Sequence, residues 1–384
     1  MKKVAIVIPN YKESLNHEEI ISLAQCRKIL GDYDRYFVVP EGMKTDYIVD
    51  ERVHYVNGTY LSSRKKYSEF VLSEGFYALF ENYEFILIYQ LDSFVFEDRL
   101  LAFCDLEYDY IGAKWPYGLE CYVDGKSLWY YGNGGFSLRR VSAFLNWIKT
   151  EHNLITELKS IIPEDLIISI YGGNRIRVAE ENSLDFSFDL NPIDCFGMNG
   201  ERLPFGCHAW HKFDRDFWKK KIEALGYTIE FNGAVDKTAQ FLSDGKDRKA
   251  KIEKCFNVSL VPKCIKCLLP QFEGKLYVFG AGQYGFSFMN MAKKTDIHVV
   301  GFIDNDPEKR DKSIQGIRIR AMKDVMDIES IPILIALSNP EPIVKQLEEM
   351  GLISGRHFIT SSELQREMIL QVEERDYAGR NMRI

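Results

Sequence analysis

The chain has 384 residues, 46% of them hydrophobic and 27% charged, with a formal net charge of −7 at pH 7. That length exceeds what one core usually organises, so two or three domains are expected. The acidic balance argues against a nonspecific nucleic-acid binder, and no apolar run is long enough to span a bilayer.

The N-terminal run in "MKKVAIVIPNYKES" stops at Pro9 and reads as a first strand rather than an export signal. The expected setting is therefore cytoplasmic, with peripheral membrane contact left open. The eight cysteines are scattered, in keeping with free thiols in a reducing compartment. Cys264 and Cys267 form a lone CxxC without the second pair that a structural zinc site wants.

After "VAIVIPNY" comes "HEEIISLAQCRKILG", with helical spacing and a terminal glycine, and then the strand "RYFVVPEG". "SEFVLSEGFYALFENY" has the apolar spacing of a helix and feeds the strand "FILIYQLD". Alternation of this kind predicts a parallel sheet with helices on both faces, whose ligands bind at the carboxyl ends of the strands. Asp92 falls near such an end. A carboxylate placed there inside an apolar stretch needs a cationic partner or a set of hydrogen bonds.

Past Asp98 the alternation breaks into stretches rich in glycine and aromatics, "YDYIGAKWPY", "LWYYGNGGFSLRR" and "FSFDLNPIDCFGMNGERLPFGCHAWHKFD", around a helix at "RVSAFLNWIKTEHNL". These suit a substrate pocket. Residues 1–232 are expected to form one domain and 233–271 a helical connector.

A further domain is expected over 272–384. "KLYVFGAGQYG" gives a strand and the GxGxxG pattern of Gly280, Gly282 and Gly285. A helix and a strand follow, then Asp304 at about the spacing of a dinucleotide-binding fingerprint. The same glycines also serve simply to pack a helix on a strand. A second nucleotide site at Gly280, Gly282, Gly285 and Asp304 is thus one reading of two.

"YQLDSFVF", "YDYIGAKW", "GNGGFSLR", "PEDLIIS", "FSFD" and "PFGCHAWHKFD", in this order over Lys3 to Trp218, resemble bacterial glycosyltransferase-like domains of the GT-A type, long catalogued as a domain of unknown function. "VFGAGQYG" and "VVGFIDNDP" separately resemble small Rossmann-like domains appended to sugar-modifying enzymes. The fold implied is α/β, a GT-A-like nucleotide-sugar-binding domain followed by a small Rossmann-like domain. The activity implied is transfer of a sugar from a nucleotide-sugar donor to a saccharide or glycoconjugate acceptor, as in polysaccharide biosynthesis.

The resemblance also assigns roles. Asp165 would be the base and Glu164 its orienting or acceptor-binding partner, as in inverting enzymes. Pro9, Asn10, Tyr11, Arg64, Asp92, Asn133, Gly134 and Gly135 would bind the donor, the glycines leaving a bare backbone for the sugar. Trp115 and Trp210 would offer faces to the acceptor. A divalent cation, Mn²⁺ or Mg²⁺, would be held by Asp92 with His208, and next His211. Only the last acid of the usual Asp-x-Asp motif survives in Gln90-Leu91-Asp92. Arg64, Lys65, Arg139 or Arg140 could then take the leaving phosphate instead. The alternatives are an NAD-dependent or sugar-nucleotide-modifying enzyme working through the C-terminal glycines, and a non-catalytic sugar-binding scaffold.

Overall fold

The computed structural model describes residues 1–123, 126–231, 246, 247, 249, 250, 258–325 and 330–381. Of the expected connector, residues 233–245, 248 and 251–257 lie outside this set. Contacts divide the chain into two compact units, Met1–Leu119 with Trp129–Lys246 and Glu120–Leu128 with Asp247–Ile384.

The first eleven strands are β1 (Lys2–Pro9), β2 (Asp34–Pro40), β3 (Arg52–Val56), β4 (Tyr83–Tyr89), β5 (Ser93–Val95), β6 (Tyr110–Ile111), β7 (Ala113–Val123), β8 (Lys126–Gly132), β9 (Phe136–Arg140), β10 (Ser187–Phe188) and β11 (Gly206–His208), all in the first unit except the parts of β7 and β8 within Glu120–Leu128. The main sheet of that unit runs β3-β2-β1-β4-β9-β6. The first four are mutually parallel, and β9 is antiparallel to β4 and β6. A smaller sheet, β10-β11-β5, stands beside it, and β7 pairs with β8 in a two-stranded sheet.

The continuous apolar runs in β1 and β4 follow from burial on both faces. Ile6, Ile8, Leu87 and Tyr89 share one core with Leu23 and Cys26 of the helix His17–Ile29. Each such aliphatic side chain contributes about 1.5–3 kcal/mol of burial. A capping box starts that helix: Asn16 Oδ1 accepts from the Glu19 amide at 2.8 Å and Glu19 Oε2 from the Asn16 amide at 2.9 Å. The single helix expected over "SEFVLSEGFYALFENY" is instead divided into Arg64–Val71 and Glu74–Ala78, because Ser73 caps a new start by accepting from the Phe76 amide. Strand β3, short and half-exposed, carried little apolar signal.

The strand order sets the location of any ligand site. From β1 the chain builds outward through β2 and β3, then returns to place β4 on the other side of β1. Loops leaving the carboxyl ends of β1 and β4 therefore diverge, opening a crevice between Pro9–Lys12 and Gln90–Asp92.

The second unit has its own sheet of β12 (Lys275–Phe279), β13 (His298–Ile303), β14 (Ser313–Ile314), β15 (Ile317–Arg320), β16 (Ile333–Ile335) and β17 (Phe358–Thr360), in the order β14-β15-β13-β12-β16-β17. All neighbours are parallel except β14 and β15. The chain is thus α/β in both units. No helix among the described residues is long and apolar enough to cross a membrane.

Candidate functional site

The crevice at the β1/β4 switch point is a cavity of about 410 Å³. Pro9, Asn10, Tyr11 and Lys12 form one wall, Ser63, Arg64 and Tyr67 another, and Gln90, Asp92, His211 and Lys212 the floor and far side. Five residues expected to bind a donor, Pro9, Asn10, Tyr11, Arg64 and Asp92, meet here.

Local chemistry holds each wall. Asn10 Oδ1 accepts from the amides of Tyr11 and Lys12 at 2.9 and 3.2 Å, and Tyr47 receives a hydrogen bond from Asn10 Nδ2 while donating to the Lys12 carbonyl. This turn fixes the backbone and presents the Tyr11 ring at 62% exposure. After β4 the Ser93 amide returns to the Gln90 carbonyl at 2.9 Å, closing a tight turn that carries Asp92. Ser22 and Gln25 bond the carbonyls of Ser93 and Val95, anchoring the far side of that turn to the helix His17–Ile29.

Asp92 has cationic partners on both oxygens: His208 Nε2 lies 3.1 Å from Oδ1 and Lys212 Nζ 3.1 Å from Oδ2. Burial would raise its pKa, but His208 and Lys212 outweigh that and hold the carboxyl well below the usual range. His208 Nδ1 faces Asp189 Oδ1 at 3.2 Å and lies 2.7 Å from Asn133 Nδ2. Burial opposes charging the ring, yet Asp92 and Asp189 together push its pKa up to about 10. His208 thus lies between two carboxylates, which favour its charged form. His211 differs: burial lowers its pKa, and Nδ1 is buried with no hydrogen-bond partner.

Asn133, Gly134 and Gly135 meet this cluster from the other side. Asn133 has φ 77°, and its Oδ1 accepts from the amides of Gly135 and Phe136 at 2.7 and 3.1 Å. The expectation of a bare backbone left for a sugar is corrected. A Cβ on Gly134 would lie 1.8 Å from Glu164 Oε1, and one on Gly135 would lie 2.2 Å from His208 Nε2. The protein's own side chains fill that space.

Glu164 and Asp165 open the helix Glu164–Tyr171. Glu164 is buried, accepts from Ser68 Oγ at 2.6 Å and lies 3.9 Å from Arg139 Nη2. It is a strut inside the protein. Asp165 is half-buried, and burial together with the Glu164 charge pushes its pKa up to about 7, against a hydrogen bond from the Leu166 amide and the attraction of Arg139. Ser68 belongs to the cavity-lining helix Arg64–Val71, so its bond to Glu164 joins that helix to the one carrying Asp165.

Other expectations are corrected by burial. Trp115 and Trp210 are 1% and 0% exposed. Trp115 donates from Nε1 to Asp189 at 3.0 Å, and Trp210 packs beside Phe94 and Phe231, so neither ring presents a face to a ligand. Arg139 is fully buried, bonded to Ser137 and Tyr77, and is inaccessible to a phosphate. Arg140 pairs with Glu84 and Asp109 and sits opposite Phe85, far along β4 from Asp92. Lys12 and Lys212 are cavity cations that the sequence reading passed over, though Lys212 directly follows His211 in "HAWHK". Asp189 was visible as the acid of "FSFD", without any sign of its partner.

In the second unit the three glycines have different surroundings. Gly280 has φ +110°, and a Cβ on Gly285 would meet the Gly280 carbonyl at 1.9 Å, so both serve the turn and the packing of helix on strand. Nothing lies within 4 Å of a Cβ built on Gly282. Asp304, expected in a second nucleotide site on one of the two readings, accepts from the Ala281 and Asp306 amides and pairs with Lys309 Nζ at 2.8 Å. Its carboxylate pins the glycine turn.

A family described as a protein of unknown function (DUF5672) matches residues 50–208, and one described as "C2185-like, N-terminal" matches 272–359. No curated protein matches the chain in sequence. Similar solved structures include a WbbM bifunctional glycosyltransferase (13% identity over 58% of this chain and 50% of that one, TM-score 0.35). Another is the galactosyltransferase LgtC (13% identity, 59% and 98% coverage, TM-score 0.36). A third is the glycosyltransferase GlyE of Streptococcus pneumoniae TIGR4 (10% identity, 91% and 99% coverage, TM-score 0.36). The match spans half the length of the WbbM chain.

Proposed function

We propose that the protein transfers a sugar from a nucleotide-sugar donor to a saccharide or glycoconjugate acceptor, with inversion at the anomeric carbon. The observation that carries this reading is the β1/β4 cavity, where Arg64, Lys12 paired with Glu19, Lys212 paired with Asp92 and the open aromatic face of Tyr11 meet at one switch point. A nucleotide sugar has the complementary parts: a flat base, a diphosphate and a neutral ring.

In the reaction the acceptor oxygen bonds to the anomeric carbon as the bond from that carbon to the phosphate oxygen breaks. The nucleoside diphosphate departs with the electron pair, and the acceptor proton goes to Asp165. A carboxylate with a pKa near 7 is well matched to accept it at neutral pH. Lys12, Arg64 and Lys212 neutralise charge on the leaving diphosphate. Glu164, held by Ser68, keeps Asp165 in place and raises its basicity through its own charge.

Asp92 and His211 both line the cavity and would hold a divalent cation, completed by substrate phosphate oxygens, only by exchange of the His208 and Lys212 contacts that occupy both Asp92 oxygens here. Among the described residues no three His, Cys, Asp or Glu side chains form such a site alone. Bound there, Mn²⁺ or Mg²⁺ would supply further charge neutralisation for the diphosphate. His208, occupied on both ring nitrogens, acts instead as a positioning residue for Asp92.

The test is incubation with UDP-, GDP-, ADP- and dTDP-sugars, with and without saccharide acceptors, following free nucleoside diphosphate. Release of one nucleoside diphosphate, stimulated by an acceptor, is expected. Nicotinamide turnover, or binding without release under every metal condition, would favour the dehydrogenase or scaffold alternatives.

A further inference from the structure

Glu18 lines the β1/β4 cavity from the first turn of the helix His17–Ile29 and has no part in the reaction above. It is half-buried, yet its carboxylate makes no hydrogen bond or ion pair with any described residue. Its charge reaches His211, another lining residue: burial lowers the pKa of that ring, and Glu18 is among the charges that oppose the shift. Glu19 beside it is already satisfied, pairing with Lys12 and accepting from the Asn16 amide. Asn16, also on the cavity lining, is the helix cap, and its Oδ1 accepts from the Glu19 amide at 2.8 Å. That bond sets the orientation of the side-chain amide and leaves Nδ2 with no partner among the described residues. One helix start thus brings an open carboxylate and an open N–H donor to the cavity.

Charge decides which part of a nucleotide sugar suits this end. A carboxylate disfavours a phosphate beside it, and Arg64, without an ion pair among the described residues, draws the diphosphate to another wall. Tyr11, 62% exposed on the same β1-to-helix segment, offers a stacking face for a base. The edges of the common bases differ. Uracil and thymine show one N–H between two carbonyl oxygens, which repel a carboxylate. Adenine and cytosine show an amino group beside an unprotonated ring nitrogen, which repels it too. Guanine shows two adjacent donors, N1–H and the 2-amino group, next to the O6 acceptor. An ionised carboxylate takes both donors in a charge-assisted pair, and a free amide N–H suits O6.

We propose that Glu18 and Asn16 are specificity-determining residues that read guanine, so that the donor is a GDP-sugar whose base stacks on Tyr11. The proposal rests on the glycosyl-transfer reading and names the nucleotide which that reading leaves open.

Replacing Asn16 would uncap the helix, so the test uses Glu18→Gln, which keeps the shape and removes the charge. Wild type and variant are titrated calorimetrically with GDP, IDP, UDP, ADP and dTDP, with and without Mn²⁺. IDP lacks only the 2-amino group of guanine. Wild type should bind GDP most tightly and IDP about 10-fold more weakly. Glu18→Gln should lose about 10- to 100-fold in GDP affinity and its preference for GDP over IDP, while UDP affinity does not fall. Equal wild-type affinities for GDP and IDP, or a variant that keeps the preference, would overturn the proposal. A similar loss for every nucleotide would place Glu18's effect on the shared diphosphate or on the fold, and would overturn it as well. Wild type that binds UDP, ADP or dTDP most tightly, and releases that diphosphate from its sugar, would leave glycosyl transfer standing and remove guanine. Wild type that binds none of them under either metal condition would sink both readings.

Discussion

Asp92 shows how a carboxylate comes to sit in an apolar stretch: His208 and Lys212 reach it from a segment more than a hundred residues later. "YQLDSFVF" announced that such a partner was needed, but which side chain would supply it depended on folding and could not be read locally. Asp165 carries the clearest predictions at this scale. Asp165→Asn keeps the shape but cannot take a proton, so transfer should fall about 100- to 10,000-fold while donor affinity holds. Rates for both proteins beside calorimetric binding check this. In wild type the rate should rise with pH through about 7, as Asp165 becomes ionised. The effect on stability has the opposite sense. The unfolded carboxyl ionises near pH 4 while the folded one resists until about 7, so stability declines across that interval and remains lower above it. Asp165→Asn removes the penalty and should melt at a higher temperature than wild type above pH 7, with the difference vanishing below about pH 4. Melting curves across that range, showing no such convergence, would contradict the burial of this group.

At the level of elements, the loop between β8 and β9 and the helix starting at Glu164 work as one piece. Gly134 and Gly135 admit Glu164 and His208 where any other residue would place a Cβ. Gly135→Ala should displace His208 from Asp92, costing about 1–3 kcal/mol in denaturant unfolding and weakening donor binding. Ser68→Ala leaves the buried Glu164 carboxylate without that donor, so it should cost about 1–3 kcal/mol in denaturant unfolding and lower the transfer rate by loosening Asp165. A rate unchanged in Ser68→Ala would remove the link between the two helices. Much of the architecture was legible here. The strands at "VAIVIPNY" and "FILIYQLD" stand where their patterns put them, since buried parallel strands have strong local signals. The fate of the glycines and tryptophans was not legible. A glycine records only that a Cβ is excluded, and a tryptophan only that it is large and apolar; what excludes the one or covers the other comes from distant segments.

Across the whole molecule, the residues assigned to chemistry all belong to the first unit, while the second has its own sheet and its own glycine turn pinned by Asp304. A protein ending at Phe231 loses most of the second unit, including the residues that cluster with Glu120–Leu128. It should retain donor hydrolysis wherever it remains folded, with solubility the property at risk. A folded, soluble truncation with no hydrolysis would show that the second unit takes part in the reaction. The central claim is a single displacement with Asp165 as base, linked to the β1/β4 cavity through Glu164, Ser68 and the helix Arg64–Val71, and it has a direct reporter in the configuration of the product. Proton NMR of the anomeric signal, recorded as wild-type protein turns over its donor in the presence of acceptor, reads it before mutarotation or side reactions intervene. The account predicts a product of opposite anomeric configuration to the donor; a product that retains the donor's configuration would contradict it.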